Sequence, residues 1–216
     1  MNTDKNYWEK YYLEHGQDND IKHHSSFAEF CYERFFYAKA KRIVELGSGN
    51  GRDAIYFAHH GNKVVAIDQS TTAIDIEREN IHNEINSNLI PIAEDFVNYD
   101  FGLHGSIDVF YSRFTLHSIN KKDEDIIIPR VYNHLKKGGL FCIEVRTTKD
   151  PLCGIGENCG NNTYRTDHYR RFIDSQEFLK SILSFGFNLL FFTEENNLSV
   201  YNNDNPVLMR IILEKA

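Results

Sequence analysis

Short apolar runs alternate with segments of helical period along this chain. The apolar runs predict strands at residues 43–46, 64–67, 89–93, 107–111 and 140–145, and a closing hairpin at 187–192 and 207–213. The helical periods predict helices at residues 4–15, 26–38, 51–60, 72–85, 123–136 and 175–185, with Gly61 and Gly138 as helix C-caps. Strands that alternate with helices predict an α/β fold built around a mostly parallel sheet.

Length and composition predict a single domain. The chain has 216 residues, of which 41% are hydrophobic, enough for one sizeable core. We expect residues 1–40 to form a helical segment and residues 41–216 to form the core of the domain. The stretch 147–166 is the one long irregular segment that the pattern predicts, and a loop of that length is usually functional or disordered.

Charge and cysteine content exclude several classes of protein. The 24 Lys and Arg against 31 Asp and Glu give a net charge of -7, which disfavours binding to nucleic acid. No apolar run reaches the length of a signal peptide or a membrane span, so we expect a cytoplasmic protein. Cys153 and Cys159 are too far apart for the usual spacing of zinc ligands, and we predict no metal site.

A glycine-rich turn joins the first predicted strand to the next helix, with the sequence Gly47-Ser48-Gly49-Asn50-Gly51. Open α/β sheets bind ligands at the carboxyl ends of their strands. Glycine permits positive φ and a close approach of backbone to ligand, and the amides of the helix that follows can bind a carboxylate. The second predicted strand ends in Asp68, which is placed to accept hydrogen bonds from both ribose hydroxyls of a nucleoside.

Two classes of cofactor are bound by a turn of this kind. Dinucleotide-binding proteins carry a third glycine at the position of Arg52, which weakens that interpretation. The segment from Glu45 to Gly51 instead resembles the first motif of class I S-adenosylmethionine-dependent methyltransferases. The resemblance implies a Rossmann-like, seven-stranded, mostly parallel sheet with an antiparallel last strand and helices on both faces.

Three further segments resemble that family. Asp68 matches its acidic residue after the second strand, Asp95 and Phe96 match its adenine-binding segment, and the segment that begins at Ser112 resembles its loop near the methionine part of the cofactor. The implied cofactor is S-adenosylmethionine, with S-adenosylhomocysteine as product. The implied cofactor-binding residues are Trp8, Glu45, Gly47, Ser48, Gly49, Gly51, Asp53, Asp68, Gln69, Asp95, Phe96 and Ser112.

Other interpretations of the same residues stay open. A glycine turn is often only a tight turn, and Asp68 could simply cap the next helix. A nicotinamide-dependent oxidoreductase is disfavoured by Arg52 and by the absence of an evident Tyr-Lys pair. A noncatalytic module that keeps the cofactor fold is the other alternative, because a fold does not by itself specify a function.

Positively charged residues suggest the acceptor of the methyl group. The motifs of nucleic acid methyltransferases are missing after the fourth strand, which leaves a small molecule or a glycan-linked group as the expected acceptor. The predicted acceptor-binding residues are Tyr12, Arg113, Arg146, Arg165, His168, Arg170 and Arg171. Because guanidinium groups bind phosphate and carboxylate in pairs of hydrogen bonds, we expect an anionic acceptor. Arg170 and Arg171 could equally lie on a solvated surface.

A hydroxyl acceptor requires a general base, and His117 and His168 are the candidates, although either could be a packed histidine. The N-terminal aromatic residues could form a lid that excludes water or could belong to the core. Segments near Tyr7, Ser25, Gly51 and Asn205 resemble bacterial methyltransferases of capsule and surface-polysaccharide assembly. This resemblance implies O-methylation of a sugar- or phosphate-containing acceptor.

Overall fold

The computed structural model describes residues 4–18, 23–81 and 85–216. The helices are α1 (Lys5–His15), α2 (Ser26–Cys31), α3 (Arg52–His59), α4 (Thr71–Asn80), α5 (Lys121–His134) and α6 (Ser175–Leu183). The strands are β1 (Arg42–Leu46), β2 (Lys63–Asp68), β3 (Leu89–Ala93), β4 (Ile107–Arg113), β5 (Leu135–Arg146), β6 (Glu157–Gly160), β7 (Thr163–Arg165), β8 (Tyr169–Arg171), β9 (Phe187–Glu195) and β10 (Leu208–Lys215).

Seven strands form one mixed sheet in the order β3-β2-β1-β4-β5-β10-β9. Strand β1 pairs in parallel with β2 and β4, and β2 pairs in parallel with β3. Strand β10 is antiparallel to both β5 and β9. The predicted α/β fold, a mostly parallel sheet with an antiparallel last strand, is confirmed.

Residues 1–111 and 112–216 each form a compact unit. In the first unit, the strands carry apolar residues such as Ile43 and Ile67 that are inaccessible to solvent. Phe27 of α2 stacks on Tyr111 at 5.2 Å between ring centroids, and Phe57 of α3 meets the edge of the same ring at 5.1 Å. Each fully buried Phe stabilises the fold by about 1.5–3 kcal/mol.

The second unit is built around the antiparallel pair β5 and β10. Every residue from Leu140 to Arg146 is buried, and all but Glu144 and Arg146 are apolar. Strand β10 is equally apolar, with Met209, Ile211 and Leu213 inaccessible to solvent. Such a continuous apolar run is typical of a strand that is covered on both sides.

Two predicted helices differ from the structure near a boundary where the cause is visible. After Cys31 the backbone widens into a π-helical turn, Tyr32–Phe36, which the N–H of Tyr37 closes on the carbonyl of Tyr32. Helix α5 begins at Lys121 because Asn120 accepts a hydrogen bond from the N–H of Asp123. The helix ends at His134, so the prediction of Gly138 as its C-cap is wrong. Gly138 instead lies within β5 with a φ of 70°.

The other predicted helix boundaries are close to those of the structure. Gly61 follows α3 with a φ of 79°, as expected for a residue that terminates a helix. Helix α4 ends at Asn80, whereas the prediction ran on to Ile85 across residues 82–84, which lie outside the described residues. The predicted N-terminal segment, 1–40, likewise includes residues 1–3 and 19–22, which are not among them.

The stretch 147–166 contains regular structure, contrary to the prediction. Strands β6 and β7 lie within it and pair with β8 in a three-stranded antiparallel sheet. The strands have only three or four residues each and carry mostly polar side chains. They are therefore too short to show the alternation of apolar and polar residues that predicts a strand. Asn161 and Asn162 have positive φ at the turn between β6 and β7.

Across residues 4–18, 23–81 and 85–216, no helix has both the length and the apolar character needed to cross a membrane. The same residues contain no cluster of three or more His, Cys, Asp or Glu side chains that could hold a metal ion.

Candidate cofactor and acceptor sites

The glycine turn follows β1, and its glycines have positive φ values that residues with a Cβ atom rarely adopt. Gly47, Gly49 and Gly51 have φ values of 72°, 58° and 78°. The N–H groups of Gly47 and Ser48 both donate to the carbonyl of Ile67 on β2, at 2.7 and 3.0 Å. The turn is therefore fixed against the neighbouring strand by its own backbone.

Asp68 connects the end of β2 to this turn. Its Oδ2 accepts the N–H of Gly49 at 2.9 Å, and its Oδ1 accepts the N–H of Ser70 at 2.8 Å. Burial raises the pKa of Asp68, and the backbone hydrogen bonds from Ser70 and Gly49 oppose that rise. A carboxylate has about four acceptor sites, so Asp68 retains capacity for hydroxyl donors. The role of helix cap belongs to Ser70, which accepts the N–H of Ala73.

Two side chains pack against the glycine turn and leave no space for a methyl group at Gly49 or Gly51. A Cβ atom on Gly49 would lie 2.2 Å from the hydroxyl oxygen of Tyr12, and one on Gly51 would lie 2.2 Å from Cγ of Glu77. Tyr12 belongs to α1 and Glu77 to α4. The Oγ of Ser48 donates to Oε2 of Glu77 at 3.2 Å.

Helix α1 is attached to the start of α4 through Glu9. Its carboxylate accepts hydrogen bonds from the N–H groups of Thr71 and Thr72 and from the hydroxyl of Ser70, at 2.8 to 3.0 Å. Burial alone would raise the pKa of Glu9, but the hydrogen bonds from Thr72, Thr71 and Ser70 lower it to about 2. Glu9 thus supplies a negative charge to the positive end of α4.

The aromatic residues of α1 form a partly exposed cluster beside this attachment. Trp8 meets the rings of Tyr7 and Tyr11 edge-on, at 5.0 and 5.6 Å between ring centroids. Tyr12 lies 6.3 Å from Trp8. Because no residue of α1 is fully buried, this cluster is not a core stripe. Phe27, in contrast, is inaccessible to solvent and belongs to the core.

Asp53 holds the segment before α2. Its carboxylate accepts hydrogen bonds from the N–H of Ser25 at 2.6 Å, from the hydroxyl of Ser25 at 2.7 Å and from the hydroxyl of Tyr111 at 2.7 Å. Asp53 is 2% exposed. These bonds give Asp53 a structural role, and its predicted contact with the cofactor stays a prediction.

The remaining predicted cofactor residues lie at or near the ends of strands. Asp95 stays partly exposed while it accepts hydrogen bonds from the N–H of Val97 and the side chain of Asn98, both at 2.9 Å. Phe96, next to it, is buried. Glu45 is buried on β1, and Gln69 is partly exposed after Asp68. In the second unit, Ser112 is inaccessible to solvent on β4.

In the second unit, Arg113 and Arg210 share one buried carboxylate. Their Nε atoms lie 2.9 and 2.5 Å from the two oxygens of Glu144 on β5. Arg113 also donates to the hydroxyl of Ser199 and lies over the ring of Phe114, 4.3 Å from its centroid. Phe114 has a φ of 56°, which is unusual for a bulky residue and marks a constrained backbone after β4.

Arg146 has two carboxylate partners of different exposure. Its Nη1 lies 2.9 Å from Asp150, whose side chain is 0% exposed, and its other nitrogen pairs with Asp204, whose side chain is 42% exposed. Asp204 belongs to the connection between β9 and β10. One partner of Arg146 is therefore built into the fold, and the other is on an accessible loop.

Three further arginines were predicted to bind the acceptor. Arg171 is buried and donates to the carboxylate of Glu124 and to the carbonyls of Leu116 and Ile119. These contacts tie Arg171 to the fold, and its predicted contact with an acceptor stays a prediction. Arg170 is more exposed and donates to the hydroxyl of Thr166 at 3.1 Å. In the small sheet, the backbone of Arg165 lies opposite Glu157 of β6 and Tyr169 of β8 in the strand register.

The two histidines differ in their contacts. The N–H of Arg146 donates to Nδ1 of His117 at 3.3 Å. Burial lowers the pKa of His117 well below its usual range, and the charges of Arg146 and Arg170 lower it further. His117 is therefore neutral, with its proton on Nε2. His168 is also buried, and its Nδ1 lies 3.1 Å from the carboxylate of Asp167.

Several residues of these sites were missed because their partners are distant in the sequence. Glu9, Glu124, Glu144 and Asp204 bear on the predicted site only through residues at least 31 positions away. Glu77 had a local signal that was overlooked. It follows Ala73 and Ile74 at helical spacing, so it belongs to the buried stripe of α4, where a carboxyl group is uncommon.

Comparisons with known proteins agree with this fold. Residues 43–139 match a family model described as a methyltransferase domain. Phosphoethanolamine N-methyltransferase 1 of Triticum aestivum is 28% identical over 104 residues, which is 48% of this chain and 21% of that protein. The chain thus spans about a fifth of the length of that relative.

Solved structures extend the likeness to nearly the whole chain. The 1,6-didemethyltoxoflavin-N1-methyltransferase of Burkholderia thailandensis has a TM-score of 0.73 at 14% identity, covering 98% of this chain and 87% of that chain. The glycopeptide N-methyltransferase MtfA complexed with S-adenosylmethionine has a TM-score of 0.67 at 15% identity, covering 90% and 88%. Residues 43–139 are thus similar to a methyltransferase domain, and the chain has the fold of these solved class I methyltransferases.

Proposed function

We propose that this protein is an S-adenosylmethionine-dependent methyltransferase. The observation that carries the proposal is the junction of the glycine turn with Asp68, where the N–H of Gly49 donates to the carboxylate. This junction presents a close-packed glycine backbone next to a carboxylate that retains acceptor capacity. Those features fit a cofactor that has a ribose diol beside a compact polar chain, and they do not favour the noncatalytic alternative.

Each group of residues has a task in binding. Asp68 accepts the ribose hydroxyls, and Asp95 and Phe96 bind the adenine. The turn from Gly47 to Gly51 admits the methionine part, and the positive end of α3 favours its carboxylate. Trp8 and Tyr12 exclude water from above the turn. Gln69 follows β2, where it helps to position the cofactor, and Glu45 supports β1.

The acceptor in this proposal is a small anionic molecule or glycan precursor that is methylated on oxygen. When bound, the cofactor supplies an electrophilic methyl group on a sulfonium. The carbon–oxygen bond forms as the carbon–sulfur bond breaks, and S-adenosylhomocysteine leaves with the electron pair. The protein has mainly to align the reacting atoms, and a hydroxyl acceptor must also lose its proton to a base.

His168 suits the role of base better than His117. Nδ1 of His168 lies 3.1 Å from the carboxylate of Asp167 and 3.5 Å from Nη2 of Arg170, and the carboxylate stabilises the imidazolium that forms when His168 takes a proton from the acceptor. His117 instead presents an N–H at Nε2 and can only donate to the acceptor. We therefore assign the proton transfer to His168 and a positioning hydrogen bond to His117.

Arg146 supplies the site for the anion. Its pairing with the exposed Asp204 indicates that a carboxylate fits this guanidinium, and an acceptor phosphate or carboxylate would replace Asp204 there. Exchange of one anion for another keeps Arg146 neutralised. The buried Asp150 remains in place and orients the guanidinium.

The Asp204→Asn variant tests this anion site with inorganic phosphate as the probe. Removal of the competing carboxylate should lower the Kd of phosphate about tenfold, since about 1.4 kcal/mol corresponds to that factor. Calorimetry should give no change for the matched control Asp125→Asn, which removes an exposed charge on α5. Equal phosphate affinity in the wild type and Asp204→Asn would contradict the assignment of Arg146.

Turnover tests the reaction itself. The purified protein is incubated with methyl-labelled S-adenosylmethionine and a panel of nucleotide sugars, phosphorylated sugars and matched amines, and release of S-adenosylhomocysteine is followed. Labelled product from a phosphorylated hydroxyl compound supports the proposal, and His168→Ala should then lower kcat about 10²–10⁴-fold. The panel includes amines because the named relatives are N-methyltransferases. Product from amines alone would contradict O-methylation. Absence of both cofactor binding and turnover would overturn the proposed function.

A further inference from the structure

Glu77 is a carboxylic acid buried behind the glycine turn. It lies on α4 with an exposed fraction of 0%. Its Oε2 accepts a hydrogen bond from the hydroxyl of Ser48, whereas Oε1 has no hydrogen-bond partner among the residues that the structure describes. A buried oxygen without a partner is costly and uncommon, and calls for a functional or structural reason.

The contact between Glu77 and the turn is direct. A Cβ atom added to Gly51 would lie 2.2 Å from Cγ, 2.4 Å from Cδ and 2.7 Å from Oε1 of Glu77. The backbone of Gly51 therefore rests on the carboxyl group itself. Any movement of that group, or any water that enters beside it, must displace the turn.

We propose that Glu77 is a positioning residue for the cofactor, which limits the pH range over which the glycine turn keeps the conformation that binds S-adenosylmethionine. In its neutral form the carboxyl group carries its proton on Oε1 and packs against Gly51 without a formal charge. An ionised Glu77 needs more hydrogen-bond donors than the hydroxyl of Ser48, and the turn must open to provide them. This inference rests on the proposed function of the same site.

The surroundings of Glu77 favour the neutral form. Burial raises the pKa of Glu77 to about 8, and the negative charge of Asp68 adds to the rise, while Ser48 and Arg78 oppose it. Arg78 points outward and pairs with Asp75. Helix α1 contributes Glu9 and Tyr12, which contact the start of α4 and the turn, and β3 has no titratable side chain.

The isosteric variant Glu77→Gln removes the charge and keeps the shape. S-adenosylhomocysteine is the probe, because it lacks the sulfonium and reports the geometry of the turn without charge attraction at that atom. Its Kd is measured by calorimetry from pH 6 to pH 9.5. Above pH 8 we expect the wild type to lose affinity relative to Glu77→Gln. The loss should be about tenfold for one pH unit above 8, since one pKa unit corresponds to a factor of ten. The ligand amino group titrates equally in both experiments, so the ratio isolates Glu77.

Glu79→Gln is the matched control, because Glu79 is an exposed carboxylate on the same helix. Its pH profile should follow that of the wild type. A second variant, Glu77→Met, should also give a flat profile, with weaker binding at every pH because the bond from Ser48 is lost.

Stability without ligand provides an independent measurement. The pKa of Glu77 is higher in the folded protein than its ordinary value of 4.5, so the folded state holds the proton more tightly. The wild type should therefore lose stability relative to Glu77→Gln as the pH rises from about 4.5 to 8, and the difference in Tm should level off above that range. No such divergence would overturn the inference.

The binding outcomes separate this inference from the proposed function. If S-adenosylhomocysteine and S-adenosylmethionine bind the wild type at no pH, the proposed function fails. If they bind with the same pH profile in the wild type and Glu77→Gln, the inference about Glu77 alone is overturned. Wild-type affinity that rises above pH 8 relative to Glu77→Gln would also contradict it.

Discussion

The candidate cofactor site of residues 4–111 and the arginine-rich region of residues 112–216 are held in different ways. In the first, Asp68 and Glu9 accept hydrogen bonds from backbone N–H groups. In the second, Arg146 and Arg171 pair with carboxylate side chains that come from other elements of the fold. Backbone hydrogen bonds hold the candidate cofactor site, and ion pairs between side chains hold the arginine-rich region.

This difference has consequences for tolerance to change. A carboxylate that is held by backbone groups keeps its surroundings when a neighbouring side chain is replaced. A buried guanidinium depends on one or two carboxylates, and the loss of either partner leaves a charge without compensation. We expect substitutions near Asp68 to affect mainly ligand binding and substitutions of Arg171 to affect mainly stability.

The largest effect is expected for Arg171→Ala. This change removes one of the two cationic partners of the buried Glu124, which keeps Lys121, and it also removes the donor to the carbonyls of Leu116 and Ile119. It should lower the free energy of unfolding by about 3 kcal/mol. Urea denaturation followed by circular dichroism measures it. The adjacent Arg170→Ala is the control, because the side chain of its partner Asp167 is 57% exposed and is solvated after the change, so the loss of stability should be smaller.

The comparison sharpens further with the double variant Arg171→Met and Glu124→Leu. Replacement of both charges by apolar groups should recover much of the lost stability, because no unpaired charge remains. If Arg171→Ala is no less stable than Arg170→Ala, the pair with Glu124 is not a structural element.

An intermediate effect is expected for Gly49→Ala. The positive φ costs about 1–2 kcal/mol for a residue with a Cβ, and the new methyl group must also displace the hydroxyl of Tyr12. Affinity for S-adenosylmethionine should fall at least about tenfold, a loss of about 1.4 kcal/mol. Calorimetry and thermal unfolding measure the two parts.

Gly61→Ala is the matched control for backbone strain. Gly61 has a φ of 79° but nothing lies within 4 Å of the position that its Cβ would take. It should lose stability by about 1–2 kcal/mol and keep its affinity for the cofactor. A similar loss of affinity in both variants would show that the space around Gly49 is unimportant.

The smallest effect is expected for Glu9→Gln. The folded pKa of Glu9 is about 2, below its usual value, so its contribution is present above about pH 4.5 and is lost as the pH falls toward 2. Because the carboxylate is partly exposed, the change should stay below about 1 kcal/mol near neutral pH. Fluorescence of Trp8, the single tryptophan, reports the attachment of α1. Glu14→Gln, on the exposed side of α1, should change nothing.

The two regions also differ in how far the sequence predicts them. Gly47 to Gly51 and Asp68 were found because the turn is continuous in the chain and the spacing to the next strand end is regular. Asp53 was assigned to the cofactor, yet it binds Ser25 and Tyr111, which are 28 and 58 positions away. No local pattern signals such a pair.

The arginines illustrate the same limit. Residue type and position at strand ends predicted that Arg113 and Arg146 would bind an anionic acceptor. The pattern could not indicate which carboxylates pair with them, because Glu144 and Asp204 come from other strands and loops. Likewise, β6, β7 and β8 are stabilised by pairing with each other, which a single sequence of polar residues does not reveal.

The most direct test of the account is calorimetric titration of S-adenosylmethionine into the wild type and Asp68→Ala, with Asp75→Asn as a control on the exposed face of α4. Loss of hydrogen bonds from a charged group to two hydroxyls costs about 1.5–3 kcal/mol each, so Asp68→Ala should bind at least about 100-fold more weakly. Asp75→Asn should bind like the wild type, with one molecule of cofactor per chain. Equal affinity in the wild type and Asp68→Ala, or no binding to either, would contradict the assignment of the cofactor site to the glycine turn and Asp68.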